Sequence, residues 1–497
     1  MDKIRQDWFE KWALYSPNKV AVSDLDLDKH LTYFQINNAG NHLADFLYNK
    51  GLRKGDRVAV LSEFSLEYIT LFAAAKKSGL IIVPLNYRLA QREISFNLEN
   101  SKPSIVFYES KFADLLVIND KCLDIQTLHD HWNKDQTGIK PMVNVDEDDP
   151  IFILYTSGTT GLPKGVLYTH KMMFWNSVQT AISLLLNKDS TTVNVMPPFH
   201  TGGWNVLLTP ILHHGGHVNF FKKFDPNRVN EFIFKCKATI FMGVPTMLQM
   251  MAMAPNFSAE QFTSLMYIIV GGEPMPIPLI ETYDQVGVAI RQGYGMTEVG
   301  PNLTSLAEQD AIRKKGSIGW PNFYVNTRVV NEEGKDVQVN ELGELWLNGP
   351  MVTPGYWENT NATLEAFSED GEWFKSGDLV KVDEEDYIYV VDRLKNMFIS
   401  GAENIYPAEI ERLINSLDQV AESVVIGVSD AKWGEVGKAI IAFKKGKDHL
   451  TEEQLKSFIS DNIAKFKVPK YYAFLDELPK NDAGKLDRIK LKKMFIN

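Results

Sequence analysis

Twelve consecutive residues carry the densest chemical signal in the chain: Tyr155-Thr156-Ser157-Gly158-Thr159-Thr160-Gly161-Leu162-Pro163-Lys164-Gly165-Val166. An apolar run empties into four hydroxyl side chains, three glycines and one lysine. Glycine permits sharp turns and close approach, so successive backbone N–H groups can converge on phosphate oxygens. The hydroxyls add donors, and Lys164 adds a mobile positive charge. No Gly-Lys-Ser/Thr step is present, so this is not the Walker loop. Its chemistry is the grip on a polyphosphate.

The loop resembles the phosphate-binding signature of the adenylate-forming superfamily, which includes acyl-CoA synthetases, aryl-CoA ligases, firefly luciferase and the adenylation domains of peptide synthetases. Other segments resemble the family's elements in the same order, from about residue 10 to the end of the chain. Pro197-Pro198-Phe199-His200-Thr201-Gly202-Gly203-Trp204 looks like the second substrate loop in its acyl-CoA synthetase form. Gly271-Gly272-Glu273 is similar to the loop along one side of adenine. Gly293-Tyr294-Gly295-Met296-Thr297-Glu298 resembles the element whose aromatic ring stacks on adenine, whose threonine meets the α-phosphate and whose glutamate holds magnesium. Ser376-Gly377-Asp378-Leu379 resembles the ribose-gripping aspartate segment. Asp392-Arg393-Leu394-Lys395 resembles the interdomain hinge, with Arg393 reaching the ribose. Ser400-Gly401-Ala402-Glu403-Asn404 looks like the loop lining the pantetheine tunnel, with Ala402 where the family usually has a second glycine. One added methyl implies a narrower tunnel, not a closed one. Asn481-Asp482-Ala483-Gly484-Lys485-Leu486 resembles the loop of the catalytic lysine.

The resemblance implies ATP-dependent joining of a carboxylic acid to coenzyme A through an acyl-adenylate, with AMP and pyrophosphate released. Both reactants of the first step are anions, so cations must gather them. Lys485 would bridge the acyl carboxylate and the α-phosphate. Glu298 would hold Mg2+ as a hard oxygen ligand. Thr156, Ser157, Gly158, Thr159, Thr160 and Lys164 would hold the phosphates and steer pyrophosphate out. Thr297 would meet the α-phosphate, while Gly272, Glu273, Gly293, Tyr294, Gly295 and Met296 would frame the adenine. Rotation of the C-terminal domain about Lys395 would then replace Lys485 with the Ser400–Ala402 face for attack by coenzyme A.

The acyl pocket is expected among His200, Trp204, Val244, Gly271 and Val299. The spacing of His200 and Trp204 resembles fatty acyl-CoA synthetases in which the tryptophan gates an acyl tunnel, so a medium- or long-chain fatty acid is the expected substrate. An aryl acid of the benzoate, cinnamate or succinylbenzoate kind is the alternative. No arginine or lysine lies in these segments to pair a second carboxylate, which disfavours dicarboxylates because a buried unpaired charge is costly. Amino-acid adenylation is disfavoured as well, since Phe199-His200 stands where those domains place an aspartate. A non-catalytic nucleotide-binding regulator would show a damaged Lys485, Glu298 or phosphate loop, and all are intact.

Elements must position these residues. Short apolar runs at 57–61, 81–84, 105–108, 152–155, 192–196, 218–221, 239–242 and 267–270 alternate with helical patterns at 65–77, 205–213 and 245–254. Strands buried on both faces and alternating with helices predict parallel sheets covered by helices, with ligands at the strands' carboxyl ends. From about 325 to 391 short strands between turns predict an antiparallel segment. The expected α/β architecture is a large N-terminal domain over 1–394, made of two helix-covered sheets plus that β-rich subdomain. A small mobile α+β C-terminal domain follows over 395–497.

Composition agrees with a globular enzyme. The 497 residues are 44% apolar and 23% charged, with a formal charge of −11. No basic domain marks a nucleic-acid partner. The two cysteines, Cys122 and Cys236, form no metal or disulfide framework, and the N-terminus lacks a signal-type apolar core. A cytoplasmic enzyme without a transmembrane segment is expected. Peripheral membrane contact and oligomer formation stay open.

Overall fold

The structure is a computed structural model. It describes residues 7–156, 163–272, 275–400, 403–430, 432–481 and 485–495. The chain divides into two compact units, Met1–Thr327 with Leu347–Phe374, and Arg328–Trp346 with Lys375–Asn497.

The first unit contains a six-stranded sheet in the order Cys122–Asp124, Ile105–Tyr108, Arg57–Leu61, Ile81–Pro84, Pro150–Thr156, Lys164–Thr169. All neighbours are parallel except the last pair, a hairpin. The strands read as unbroken apolar runs because both faces are covered. Val58, Val60 and Ile82 enter one core, while Ala59, Leu61, Ile81 and Val83 enter another on the opposite face. The helix Leu66–Ser78 has every residue buried; Ser65 caps its start and Gly79, at φ 70°, ends it.

Two further sheets follow, in the orders Lys29–Thr32, Val20–Asp24, His217–Phe220, Thr191–Asn194 and Ile240–Gly243, Tyr267–Val270, Ile290–Met296, Gly300–Ser305, Trp320–Pro321. The expected second helix-covered sheet is therefore interrupted between Thr191–Asn194 and Ile240–Gly243. The Thr239 N–H donates to Thr191 O at 2.8 Å and the Thr191 N–H to the Thr239 hydroxyl at 3.0 Å, while Thr239 O accepts from the Met266 N–H at 2.8 Å. The helix expected at 205–213 also differs. A wide π-turn over Gly202–Val206 precedes an α-helix over Leu208–His213.

The second unit holds most of a four-stranded sheet in the order Asn326–Val330, Gly343–Asn348, Phe374–Val382, Ile388–Arg393, its last pair antiparallel. A second sheet runs Glu403–Ile405, Phe398–Ser400, Gly434–Phe443, Val420–Asp430, with Tyr471–Phe474 parallel to Gly434–Phe443. Alternating residues of its long strands face two small cores. Val425, Ala439 and Ile441 pack with Ile410, Ile414, Leu455 and Ile459 of two helices. Val424, Ile426 and Ile440 pack with Leu478 and Leu491.

Candidate active site

The phosphate-type loop tips the hairpin of Pro150–Thr156 and Lys164–Thr169, whose final register pair is Thr156 with Lys164. Ser157, Gly158, Thr159 and Thr160 lie outside the described residues. Lys164 itself is described, and its Nζ stands 5.2 Å from the centre of the Tyr356 ring. The Tyr356 hydroxyl donates to Glu298 Oε1 at 3.1 Å. A single phenol thus joins the lysine of one motif to the glutamate of another. Backbone stitching holds it there. Trp357 N–H donates to Gly165 O at 2.7 Å, Leu167 N–H to Gly355 O at 3.1 Å, and Thr353 N–H to Glu298 O at 2.7 Å. Burial drives the Tyr356 hydroxyl above its ordinary pKa, and the Glu298 carboxylate adds to the rise, so Tyr356 stays a neutral donor.

Glu298 sits on a tight turn. The strand Ile290–Met296 meets Gly300–Ser305 antiparallel, with a register shift between Tyr294 and Met296, and Thr297–Val299 form one 3-10 turn between them. A Cβ at Gly295 would lie 2.3 Å from the backbone of Pro301, so only glycine fits this fold-back. Tyr294, Met296, Thr297 and Glu298 are half-buried, whereas Val299 is fully buried. Beside this turn, the register pair Val270 and Gln292 leads into Gly271 and Gly293. A Cβ at Gly271 would meet only Gly293 O, at 3.6 Å, so its front is open, and Gly272 takes φ +86°. Glu273 lies outside the described residues.

The Pro197–Trp204 loop is held by its own backbone. His200 N–H donates to Pro197 O and Gly203 N–H to His200 O, while Asn194 Nδ2 donates to Gly203 O at 3.0 Å. Gly202 borders the methyls of Met196 and Met242, and Val244 caps the helix Pro245–Ala252. The structure puts the Trp204 ring, expected either as a gate or as core packing, in the core with no exposed surface. Phe64, Tyr68, Phe72 and Phe152 surround it at centroid distances of 5.0–5.3 Å, and its Nε1–H donates to Pro198 O at 2.7 Å. A ring so packed anchors the loop. One cation reaches this loop from a segment the sequence argument left out, since Arg88 Cζ lies 5.5 Å from the Phe199 ring centre.

In the second unit, Asp378 and Arg393 are register partners on adjacent strands, and Arg393 Nε lies 2.5 Å from Asp378 Oδ1. The two residues assigned separately to a ribose are therefore one ion pair. Partial burial and the neighbouring Arg393 charge lower the pKa of Lys395, with Asp378 opposing. Ser400 ends its strand and pairs with Glu403 and Gly434. Gly401 and Ala402 lie outside the described residues. Lys485 stands exposed on a short hairpin. Its N–H donates to Asn481 Oδ1 at 3.0 Å, and its carbonyl accepts from Asn481 N–H at 2.7 Å.

Comparison with known proteins decides the family. The profile of the AMP-binding enzyme family matches residues 9–357, and that of the AMP-binding enzyme C-terminal domain matches 409–485. This chain belongs to that family. It falls on the acyl-CoA ligase branch. Feruloyl-CoA synthase of an Amycolatopsis species is 35% identical over 98% of each chain. Long-chain-fatty-acid–CoA ligase FadD13 of Mycobacterium tuberculosis is 34% identical over 97% of each. Among solved structures, o-succinylbenzoate coenzyme A synthetase (MenE) from Bacillus subtilis, in complex with ATP and a magnesium ion, superposes with a TM-score of 0.87. It is 30% identical, over 98% of this chain and 99% of that one.

For this AMP-binding enzyme, the residue missed by sequence reading is Tyr356. Its signal was the Pro354-Gly355-Tyr356-Trp357 run, a turn dipeptide followed by two aromatics within a stretch read only as β-rich. The donor set also bears on magnesium. Among the described residues no three His, Cys, Asp or Glu side chains cluster as a metal cage. Glu298 is a single hard carboxylate steadied by a phenol. That fits an ion that keeps waters and takes its other ligands from substrate phosphates. Among the described residues, no helix is long and apolar enough to cross a membrane.

Proposed function

We propose that this acyl-CoA ligase activates a medium- or long-chain fatty acid with ATP and Mg2+, then transfers the acyl group to coenzyme A. The observation carrying the proposal is the convergence of Lys164, Tyr356 and Glu298 at the strand ends, Thr156 and Lys164, that bound the hydroxyl- and glycine-rich segment in sequence. In the first step a carboxylate oxygen attacks the α-phosphorus, the bond to the β-phosphate oxygen breaks, and pyrophosphate leaves. Lys164 and the loop hydroxyls stabilise the departing pyrophosphate, while Lys485 offsets charge between carboxylate and α-phosphate. Thr297 contacts the α-phosphate, Tyr294 stacks on adenine, and Asp378 with Arg393 holds the ribose. Glu298 would hold magnesium, which would supply charge neutralisation at the phosphates when bound. In the second step the thiol sulfur of coenzyme A attacks the acyl carbonyl, AMP leaves with the bonding pair, and the thiol proton is released. Two free cysteines, Cys122 and Cys236, support a cytoplasmic setting.

Similarity to FadD13 and the methionine methyls beside Gly202 support an alkyl acid, since thioether side chains adapt to a flexible chain. Two observations favour the aryl reading: the similarity to feruloyl-CoA synthase, and Arg88 over Phe199, which supplies a cation near the pocket loop. A panel running from octanoate to stearate, with ferulate, benzoate and 2-succinylbenzoate, separates them by pyrophosphate release with and without coenzyme A. The highest kcat/KM is expected on a fatty acid. A ferulate or succinylbenzoate optimum would replace the alkyl reading, and no acid-dependent pyrophosphate from any member would remove the ligase assignment.

A further inference from the structure

The hairpin that carries Lys485 is tied back to the hinge segment by a run of polar contacts. At the hinge segment, Asp392 Oδ1 accepts from Asn396 Nδ2 at 3.0 Å, and Oδ2 accepts from the Ala408 N–H at 2.8 Å. Ala408 lies in the first turn of the helix Pro407–Asn415. One turn further along, Glu411 is buried, and its Oε1 accepts from the Val425 N–H at 2.7 Å. Its Oε2 lies 2.5 Å from Arg488 Nη2, while Arg488 Nη1 donates to Val425 O at 3.0 Å. Both side chains therefore close on the same residue of the strand Val420–Asp430. Arg488 stands three residues after Lys485. Between them, Lys480 bridges to Leu486, and the Asp487 N–H donates to Pro479 O at 2.8 Å, closing the hairpin neck.

We propose that Glu411 and Arg488 are a positioning pair for Lys485, fixing the lysine hairpin to the helix that Asp392 anchors at the hinge. The proposal rests on the reading of Lys485 as the adenylation lysine. Neither residue touches a substrate in this assignment; both act through the hairpin. The physical logic is that of a lever. A lysine on an exposed hairpin has many orientations, and a misplacement on the order of 1 Å costs about 100-fold in a step that depends on it. The pair, with Glu411 buried and Arg488 half-buried, limits that freedom. Burial raises the Glu411 carboxyl above its ordinary pKa and Arg488 opposes this, while the Arg488 charge is also felt at Lys395. The pair thus lies electrostatically between hinge and hairpin. A purely structural pair would support the whole unit equally, whereas a positioning pair affects only the half-reaction that uses Lys485.

The test measures both half-reactions separately, carboxylate-dependent ATP–pyrophosphate exchange and thioester synthesis from supplied acyl-adenylate and coenzyme A. Arg488→Met should lower exchange on the order of 100-fold. It should leave thioester synthesis within about threefold of the parent. Glu411→Gln should fall in the same direction. Arg488→Lys, which keeps the charge but not the fork, should recover part of the exchange and guards against a variant that fails to fold. Equal loss in both half-reactions by both Arg488 variants would overturn the proposal in favour of plain stability, and so would unchanged exchange. Lys485→Ala runs beside them. Retained exchange in Lys485→Ala sinks the reading of the lysine itself. Its loss there with full exchange in Arg488→Met sinks only the pair.

Discussion

The two units hold their candidate site residues by different means. In the first unit the grip is backbone: Gly295 folds against Pro301 where no Cβ fits, and Gly203 passes equally close to Pro197 O. The segment around Tyr356 is sewn to Gly165, Leu167 and Glu298 by main-chain hydrogen bonds. In the second unit the grip is made of charged side chains, Asp378 with Arg393 and Glu411 with Arg488. Backbone constraints over-determine a geometry, since shifting one residue moves a whole strand. Ion pairs fix direction while leaving elements separable. A region that must present one arrangement to ATP suits the first device, and the part after Lys395, which the resemblance implies rotates between two tasks and which holds Glu411 and Arg488, suits the second.

Gly295→Ala should give the largest effect. Its new methyl would lie 2.3 Å from the Pro301 backbone, which has no flexible side-chain end to yield. The turn carrying Thr297 and Glu298 must then open. Exchange is expected to fall by about 1,000-fold, as for loss of preorganised electrostatic groups, with the rest of the unit folded by thermal melt. An Ala variant with near-parent exchange would show that this turn has slack, and the contrast between the two units would go with it.

That contrast also explains what could be read in advance. The strands 57–61, 81–84, 105–108 and 267–270 appear in the structure with the boundaries expected, because both faces are buried and their apolar runs end at turn residues. Backbone devices leave glycines behind, so Gly271, Gly272, Gly293 and Gly295 stood out in sequence. Side-chain devices leave no local mark. Glu411 and Arg488 are 77 residues apart, and neither forms a motif with its neighbours. Tyr356 reaches Glu298 across 58 residues for the same reason. At Trp204 periodicity and spacing cannot tell a tunnel wall from a core: either position takes an aromatic ring. The interruption between the strands at 191–194 and 240–243 leaves no mark in the apolar pattern.

Tyr356→Phe tests a place where a side chain supplements the backbone grip of the first unit. The ring near Lys164 is kept and only the hydroxyl to Glu298 is lost. A hydrogen bond to a charged group contributes about 1.5 kcal/mol, so a drop of roughly tenfold is expected. It should appear as a raised magnesium requirement in the exchange assay, since the carboxylate loses its orienting donor. A magnesium titration indistinguishable from the parent would mean that Thr353 and the backbone alone set Glu298.

The smallest effect on catalysis is expected where the first unit does bury charge, far along the chain from its phosphate-type loop. Asp7, at the start of the helix Trp8–Tyr15, accepts from Lys77 at 2.8 Å and from Lys140 at 2.5 Å. Beside them Lys76 is buried, with its Nζ 4.2 Å from the Trp8 ring centre. Burial pushes the Lys76 ammonium down to about 7; Asp7 opposes the shift and Lys77 adds to it. Between that value and the ordinary 10.5, the unfolded chain holds a proton that the folded chain has lost. Stability from this group therefore rises with pH across the window, by at most about 1.4 kcal/mol per pH unit. Below it, both states are charged and the fold carries a buried cation at a cost. Lys76→Met should flatten the slope of unfolding free energy between neutral and alkaline pH and raise stability at its lower end, with exchange activity unchanged. If activity falls instead, buried charge in the first unit serves the site after all, and the two units differ less than their contacts imply. A slope that persists in the variant would assign the pH dependence to groups other than this lysine.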